Sequence, residues 1–295
     1  MDSFSISQLS QFSGIKPHTI RIWERRYNAL TPGRSVGNTR YYDSSQLRRL
    51  LNIVSMVDSD HKISELCLMP DEQIFELLKS RIKQPAEDQT EYLISQLILA
   101  GISYDEIYFD KILSHSLIRY GMKECYTRIL YPMLVRIGLM WASDTIPTAR
   151  EHFISNCIRK KLFTSIDSLP PPSAESDTWL LFLPENEFHE IGLLLACYLI
   201  RLSGQRVIYL GANVPLPSLS DAINDIKPRH LLLFFVHHDI PENLDTYLKN
   251  LSLVFHDKIF LAASDQQVQA LQLQENVHHL SSVQQLLEQL PTITV

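Results

Sequence analysis

Beyond residue 177 the apolar residues gather into short continuous runs, Trp179–Leu183, Val207–Leu210, Leu231–Val236 and Ile259–Ala262. A strand that is apolar at successive positions is covered on both faces, whereas a strand wet on one side alternates. The stretches between the runs, Glu187–Leu202, Leu216–Ile226, Asn243–Val254 and Gln266–Gln274, are amphipathic and long enough to supply the covering helices. This pattern predicts a doubly wound parallel sheet over residues 177–295, closed by a weak strand at Val277–Leu280 and a helix at Val283–Leu290. Ligands on such sheets bind beyond the carboxyl ends of the strands, in the loops that lead into helices.

Upstream the period is helical. Residues 71–168 read as Asp71–Ile82, Pro85–Ala100, Ser103–Tyr120, Met122–Trp141 and Ile146–Ile166, punctuated by Gly101, Gly121 and the Asp144–Pro147 stretch. Helices of that length with short connections predict a four-helix bundle. The Pro-rich run at 169–176 is a stiff polar linker into the sheet. Cys67, Cys125, Cys157 and Cys197 lie far apart in apolar helical contexts, as buried thiols of a reducing compartment do. No apolar run approaches the roughly 18 residues of a membrane span. The amino-terminal MDSFSISQLS lacks a basic start and a long apolar stretch, so a cytoplasmic protein with no membrane partner is expected.

Residues 1–70 carry a different chemistry. The chain has a net charge of −6, yet its first fifty residues hold eight Lys and Arg against three acids, a balance of +5 that leaves −11 on the remainder. A small basic head on an acidic body can meet phosphate while the body stays off it. Ile6–Ser13, a turn at Gly14-Ile15, and Pro17–Tyr27 have helix-turn-helix form, followed by a helix over Gln46–Val57. Ile20 and Trp23 can seat the second helix, which Thr19, Arg21, Arg25 and Arg26 decorate, and Lys16, His18, Thr19 and Arg26 can supply part of the polar side that meets a groove. Thr31–Asp43, with Arg34, Asn38, Arg40, Tyr41 and Tyr42 around Gly33 and Gly37, reads as a wing able to grip phosphates.

These residues resemble the MerR family of winged-helix regulators. The matching stretches are Ser5-Ile-Ser-Gln-Leu-Ser with Gly14-Ile15, Thr19-Ile-Arg-Ile-Trp-Glu24, Arg40-Tyr-Tyr42 and the Leu47 helix. The resemblance implies binding of a double-stranded operator, an inverted repeat, by a dimer, with Lys16, His18, Thr19, Arg21, Trp23, Arg25, Arg26, Arg34, Asn38, Arg40, Tyr41 and Tyr42 at the DNA. The family's long carboxyl-terminal dimerisation helix is not evident, which assigns sensing and oligomerisation to the bundle and sheet.

Two further motifs stand in the body. Glu187-Phe188-His189-Glu190-Ile191-Gly192 follows the first strand of the sheet, where His189 can place one imidazole nitrogen in the ligand crevice while Glu187 orients the other. Gly192 at the helix start lets backbone approach a bulky group. On the bundle, Trp141 is followed after nine residues by Glu151-His152. Taken singly, Trp141 is also a core anchor between helices, Glu151 a solvated acid, His152 an ordinary helix histidine and His189 a helix-start histidine.

Together they resemble the cobalamin-binding modules of CarH-like photoreceptor regulators and of methionine synthase, in the same order of MerR-like head, bundle and Rossmann-like sheet. The resemblance implies that His189 is the lower cobalt ligand and that Trp141, Glu151 and His152 cap the upper face beside a 5′-deoxyadenosyl group. It also implies that Gly211, in Gly211-Ala-Asn-Val-Pro215, lies in a strand-end turn at the cofactor. The sequence departs from that pattern where the cobalamin nucleotide tail is received: Phe234-Phe235-Val236 stands for a small Ser-containing strand end, and Ala262-Ala263 for paired glycines. Ala142 follows Trp141, where light-sensing members carry His.

Three functions follow as alternatives. In the first, a DNA-binding regulator, a repressor, senses cobalamin or adenosylcobalamin and light by changing between oligomeric states, dimer or tetramer. In the second, Phe234 fills the tail slot and the sheet is a cofactor-independent surface for oligomerisation or for an antirepressor protein. The third is a corrinoid enzyme, against which stand the short chain, the head, and the lack of any nucleophile triad, phosphate loop or paired-carboxylate signature; no catalytic residue is expected. His237-His238 and His278-His279 lack the spacing of a strong metal site.

Overall fold

Ser5 caps the first helix, α1 (Ile6–Ser13), by accepting the backbone N–H of Gln8, whose side chain accepts the N–H of Ser5 in return. The computed structural model describes residues 3–34, 38–57, 61–81, 89–142, 147–173, 175–236, 244–269 and 271–291, and leaves out the side chains of residues 3, 44, 75, 79–81 and 139–142. Gly14 ends α1 with φ of 71°, a left-handed conformation that only glycine adopts without strain, and Pro17 opens α2 (Pro17–Tyr27). Strands β1 (Ser3–Phe4), β2 (Gly33–Arg34) and β3 (Arg40–Asp43) form a small antiparallel sheet in the order β1-β3-β2. Asp43 then caps α3 (Ser44–Val54), accepting from the Gln46 N–H at 2.9 Å and the Ser45 hydroxyl at 2.6 Å, which holds its carboxyl below the ordinary range.

A short helix that periodicity did not reveal, α4 (Ile63–Leu68), precedes α5 (Asp71–Arg81). Six residues are too few to show a 3.6-residue period. The bundle helices are α6 (Thr90–Ile102), α7 (Glu106–Cys125), α8 (Tyr131–Ala142) and α9 (Thr148–Asp167). Two departures from the expected helices share a region. Gly121, expected as a break, kinks α7 at φ of 71°, and a π-helical turn spans Tyr126–Leu130 before Pro132. Proline cannot donate to the preceding turn, and the widening lies in that turn. Where α6 ends, a Cβ on Gly101 would come within 2.5 Å of Ile154, so glycine is what lets α9 approach.

The chain divides into two compact units, Met1–Cys157 and Ile158–Val295. In the first, the head and the bundle share a core: Leu47, Leu50, Leu51 and Val54 of α3 are buried, as are Leu93, Leu97 and Ile98 of α6. Arg136 of α8 makes two 2.7 Å bonds to Glu91 of α6, and its guanidinium lies 3.1 Å from where a Cβ on Gly14 would stand.

In the second unit, β4 (Thr178–Pro184), β5 (Arg206–Val214), β6 (His230–Phe234), β7 (Lys258–Ala262) and β8 (Val277–Leu280) are all parallel, in the order β5-β4-β6-β7-β8. The helices are α10 (Ile191–Leu202), α11 (Leu216–Ile226), α12 (Leu244–Val254), α13 (Asp265–Val268) and α14 (Val283–Glu288). The doubly wound sheet is thus in place, with its switch point between β4 and β6. Leu180, Phe182, Leu231, Leu233, Ile259 and Leu261 turn one face of the sheet into a core that Leu219, Leu248 and Leu251 cover. Three helices are shorter than periodicity suggested, α14 among them because it ends at Glu288. Glu187–Glu190 is a loop ahead of α10, and α13 stops at Val268.

Burial pushes the thiols of Cys67 and Cys197 up to about 11 and that of Cys125 to about 12, and none of the four cysteines is joined in a disulfide. Among the described residues no helix is long and apolar enough to cross a membrane.

Candidate functional site

The first unit presents one face of α2 to solvent. Lys16, His18, Arg21, Arg25 and Arg26 are exposed and Thr19 is half-buried, while Ile20 is fully buried and Trp23 is 8% exposed on the opposite side. The helix therefore has the two sides a recognition helix needs, one seated and one cationic. In the wing, Arg34 is exposed and donates to Asn38 Oδ1 at 2.6 Å; residues 35–37, Gly37 among them, lie outside the described residues. Tyr41 is 42% exposed, and its ring covers Gly33 so closely that a Cβ there would meet it at 2.3 Å.

Two of the expected DNA contacts are corrected. Tyr42 is fully buried and donates its hydroxyl to Glu24 Oε2 at 2.9 Å, so it cannot reach a phosphate. Burial and the neighbouring carboxylate raise its phenol well above the ordinary range, which keeps the O–H a donor. Trp23 belongs to the core and braces α2 from behind. Arg40 donates through Nε to Glu24 Oε1 at 2.9 Å. Glu24 thus ties the recognition helix to the wing with one oxygen for each partner.

The helical unit also carries Glu151 and His152 on the first turns of α9. His152 Nδ1 lies 2.7 Å from Glu151 Oε2, and Ser155 donates to Glu151 Oε1 at 2.5 Å. The imidazole is 68% exposed. Trp141 lies in α8, but its side chain is outside the described residues.

In the sheet unit the loop after β4 is built around Glu187. Its side chain is 3% exposed. Oε1 accepts the N–H groups of Phe188 and His189, each at 2.9 Å, and stands 2.6 Å from His189 Nδ1. Oε2 accepts the N–H of Val236, just past β6, at 2.9 Å. One carboxylate therefore bridges the two strands of the switch point and fixes the imidazole. Since a carboxylate only accepts, Nδ1 is the protonated nitrogen of the neutral ring and Nε2 carries the lone pair. Asn186 and Asn213, both left-handed, lock the same corner through a 2.9 Å bond from the Asn186 N–H to Asn213 Oδ1. His189 is about half exposed, flanked by Phe188 at 63% and Val236 at 47%, an apolar lip around a fixed nitrogen donor.

An imidazole nitrogen fixed in this way is of the kind that can ligate the cobalt of a corrinoid. The room beside it does not suit a bulky tail: a Cβ on Gly192 would lie 2.7 Å from Phe234 Cε1, so the aromatic ring fills the space that glycine leaves. Gly211 lies within β5 rather than in a turn beyond the strand. It is buried in a bulge of β5 at φ of 80°, 3.2 Å from Glu190 Oε1 were it to carry a Cβ. Ala262 and Ala263 are half-buried, and the Ala263 carbonyl lies 2.9 Å from His279 Nε2. His237-His238 lies outside the described residues, among which no group of three or more His, Cys, Asp or Glu is placed to hold a metal ion.

A second buried carboxylate escaped sequence reasoning. Glu190 is 8% exposed, accepts the Tyr209 hydroxyl at 2.7 Å and pairs with Arg159 of α9. Burial, then the bond to Glu190, raises the Tyr209 phenol far above its ordinary range. The one available signal was a tyrosine inside the apolar run Val207–Leu210.

The family model for the MerR HTH family regulatory protein matches residues 4–68, and that for a B12 binding domain matches residues 93–164. The HTH-type transcriptional repressor CarH of Myxococcus xanthus is 29% identical over 255 residues, covering 84% of each chain. The repressor CarA of the same organism is 27% identical over 247 residues, 83% of this chain and 81% of its own. Among solved structures, the monomethylamine corrinoid protein of Methanosarcina barkeri shares the fold at a TM-score of 0.55 and 12% identity, over 68% of this chain and 97% of its own.

Proposed function

We propose, from the premise that this chain joins a MerR-type helix-turn-helix domain to a B12-binding domain, that it is a transcription repressor that binds double-stranded DNA and senses cobalamin. The observation that carries the reading is His189, its Nδ1 fixed by the buried Glu187, in a chain whose α2 shows Arg21, Arg25 and Arg26 to solvent. The matched relatives are repressors, and the reading is regulation rather than catalysis.

Residues 1–70 are the DNA-binding part in this reading, 71–168 the cofactor cap and 177–295 the cofactor cradle. The face of α2 enters the major groove while Arg34 and Tyr41 of the wing hold the backbone, and two copies read an inverted repeat. Paired recognition helices in such dimers lie about 34 Å apart, one turn of duplex. His189 would hold the cofactor through Nε2, with Glu187 keeping that ring oriented and Phe188 and Val236 offering an apolar rim. Trp141, Glu151 and His152 are the helical unit's contribution. Cobalamin would supply a cobalt centre, and in the adenosyl form a cobalt–carbon bond that light breaks. The ligand moves the equilibrium between oligomers only by binding one of them more tightly. We extend the proposal to a dimer–tetramer change and to action in the cytoplasm, where the operator is.

A second reading keeps the DNA-binding function and drops the cofactor, and the Phe234 ring on Gly192 favours it. The sheet unit is then a surface for self-association or for an antirepressor protein. Mixing the purified chain with aquacobalamin or adenosylcobalamin, desalting, and recording the visible spectrum separates the two. The first reading expects a retained corrinoid spectrum in the wild type and its loss in His189→Ala; a wild-type protein left colourless by these and by aquacobinamide rejects it. With bound adenosylcobalamin, identical gel-filtration elution in the dark and after illumination rejects the light switch.

A further inference from the structure

We infer that Phe234 closes the crevice at the switch point to the nucleotide tail of a complete cobalamin, so that this chain selects corrinoids that lack the tail. The inference rests on the corrinoid reading given above and names which corrinoid the site takes. It begins with a competition. The imidazole of His189 and the pendant base of cobalamin seek the same axial position on cobalt, so when the imidazole takes it the displaced base and its sugar-phosphate need room in the protein. The loop that carries His189 runs directly into α10, where Gly192, three residues further along, leaves a crevice the size of a side chain.

That crevice is occupied by the protein itself. Phe234 Cε1 would be 2.7 Å from a Cβ on Gly192 and Cδ1 would be 3.0 Å, so the ring packs directly on the glycine backbone. Its own backbone is pinned on both sides. Phe234 pairs in register with Ala262 of β7, and the next residue, Phe235, donates its N–H to the Ala262 carbonyl at 2.9 Å. Phe235 is 4% exposed in the core, with its ring 6.2 Å from that of Tyr247. Val236 then donates to Glu187. A main chain held by β7, by the core and by the buried carboxylate cannot shift to carry the ring away. The lone-pair nitrogen of His189, by contrast, belongs to a loop whose lip of Phe188 and Val236 is exposed. The site therefore offers an axial ligand and an apolar rim, but no stowage for a base.

The test is titration of the full chain with aquacobinamide, which has no nucleotide tail, and with aquacobalamin, each followed by calorimetry and by the visible band of the nitrogen-ligated cobalt. The wild type is expected to bind aquacobinamide tighter, on the order of tenfold or more, because a pocket built without room rejects the larger ligand. Phe234→Ala is expected to recover most of the aquacobalamin affinity and to leave aquacobinamide within about threefold of wild type. Phe234→Leu serves as a second variant that removes only part of the side-chain volume and is expected to fall between the two, and His189→Ala is the control for axial ligation. Equal affinities in the wild type, or tighter binding of aquacobalamin, overturn the inference while leaving the corrinoid reading intact. Binding of neither probe by wild type or variants overturns both.

Discussion

Glu187 and Val236 meet across the switch point of the sheet: the carboxylate that orients His189 through one oxygen accepts, through the other, the backbone N–H that follows β6. Four N–H groups converge on this one side chain, two from its own loop, one from the imidazole and one from Val236. Glu187→Gln keeps the shape but must turn an NH2 group toward at least one N–H. The expected result is a loss of about 1–3 kcal/mol of folding stability, the cost of leaving a buried donor without an acceptor. Corrinoid affinity should fall by about 10–100-fold as the imidazole loses its orienting partner. Thermal unfolding and titration with aquacobinamide measure the two effects. A variant with full stability and unchanged affinity would contradict the role assigned to this carboxylate.

On the DNA side, the structure separates cations that face solvent from those that hold the head together. Arg21 and Arg26 are exposed, whereas Arg40 is tied to Glu24. Arg21→Ala with Arg26→Ala should weaken operator binding and flatten the dependence of log affinity on log salt by about two units, one for each phosphate that is no longer neutralised. Tyr42→Phe removes a hydroxyl that donates to Glu24. It should cost about 0.5–1.5 kcal/mol of stability and leave the salt slope as in wild type. Gel-shift titrations across a salt series, beside melting curves, distinguish the two classes. Unchanged affinity in the double arginine variant would remove α2 from the interface.

Much of this arrangement was legible in the residues, because period and punctuation act locally. Ile6–Ser13 and Pro17–Tyr27 coincide with their helices because Ser5, Gly14 and Pro17 are cap and turn residues that act within a few positions. Leu216–Ile226 and Val277–Leu280 coincide as well. What the sequence did not disclose depends on contacts between distant positions. Tyr42 reads as a wing hydroxyl beside Tyr41, and only the strand pairing turns one outward and the other into the core. Glu187–Glu190 has the composition of a helix start, yet hydrogen bonds to Val236 and Asn213, far along the chain, hold it as a loop. Gly192 marks a close approach, but the sequence does not say that the approaching group is Phe234.

Within the helical unit, Gln96 of α6 joins three helices by hydrogen bonds. Its Nε2 donates to Ser55 Oγ at 3.1 Å and to Asn52 Oδ1 at 3.3 Å, both at the end of α3, and its Oε1 accepts from the Tyr108 hydroxyl of α7 at 3.0 Å. The side chain is 2% exposed, so these bonds are shielded from water. Gln96→Leu removes all three at nearly constant volume and should destabilise the chain by about 1–3 kcal/mol. Amide exchange in α3 should accelerate more than exchange in α10, which lies in the other unit. Uniform acceleration in both would show that Gln96 contributes only to global stability.

His230 makes the stability of the sheet unit depend on pH. The imidazole packs at a tilt against Trp179, with centroids 4.4 Å apart, and edge-on to Phe260 at 5.8 Å, and its Nδ1 is buried with no hydrogen-bond partner among the described residues. Burial lowers its pKa from 6.5; the Asp177 carboxylate, 3.6 Å from Nε2, opposes the shift, while Lys258 and Arg229 add to it. A histidine whose folded pKa lies below its unfolded value binds protons more readily when unfolded, so stability is full above the unfolded pKa and declines as pH falls through 6.5. His230→Leu should therefore flatten the loss of melting temperature between about pH 7.5 and 5.5, the window in which an unperturbed histidine titrates. Asp177→Asn should steepen it, because the one opposing charge is removed. If the three proteins lose stability in parallel as the solution is acidified, the proton uptake lies elsewhere and the buried ring is not its source.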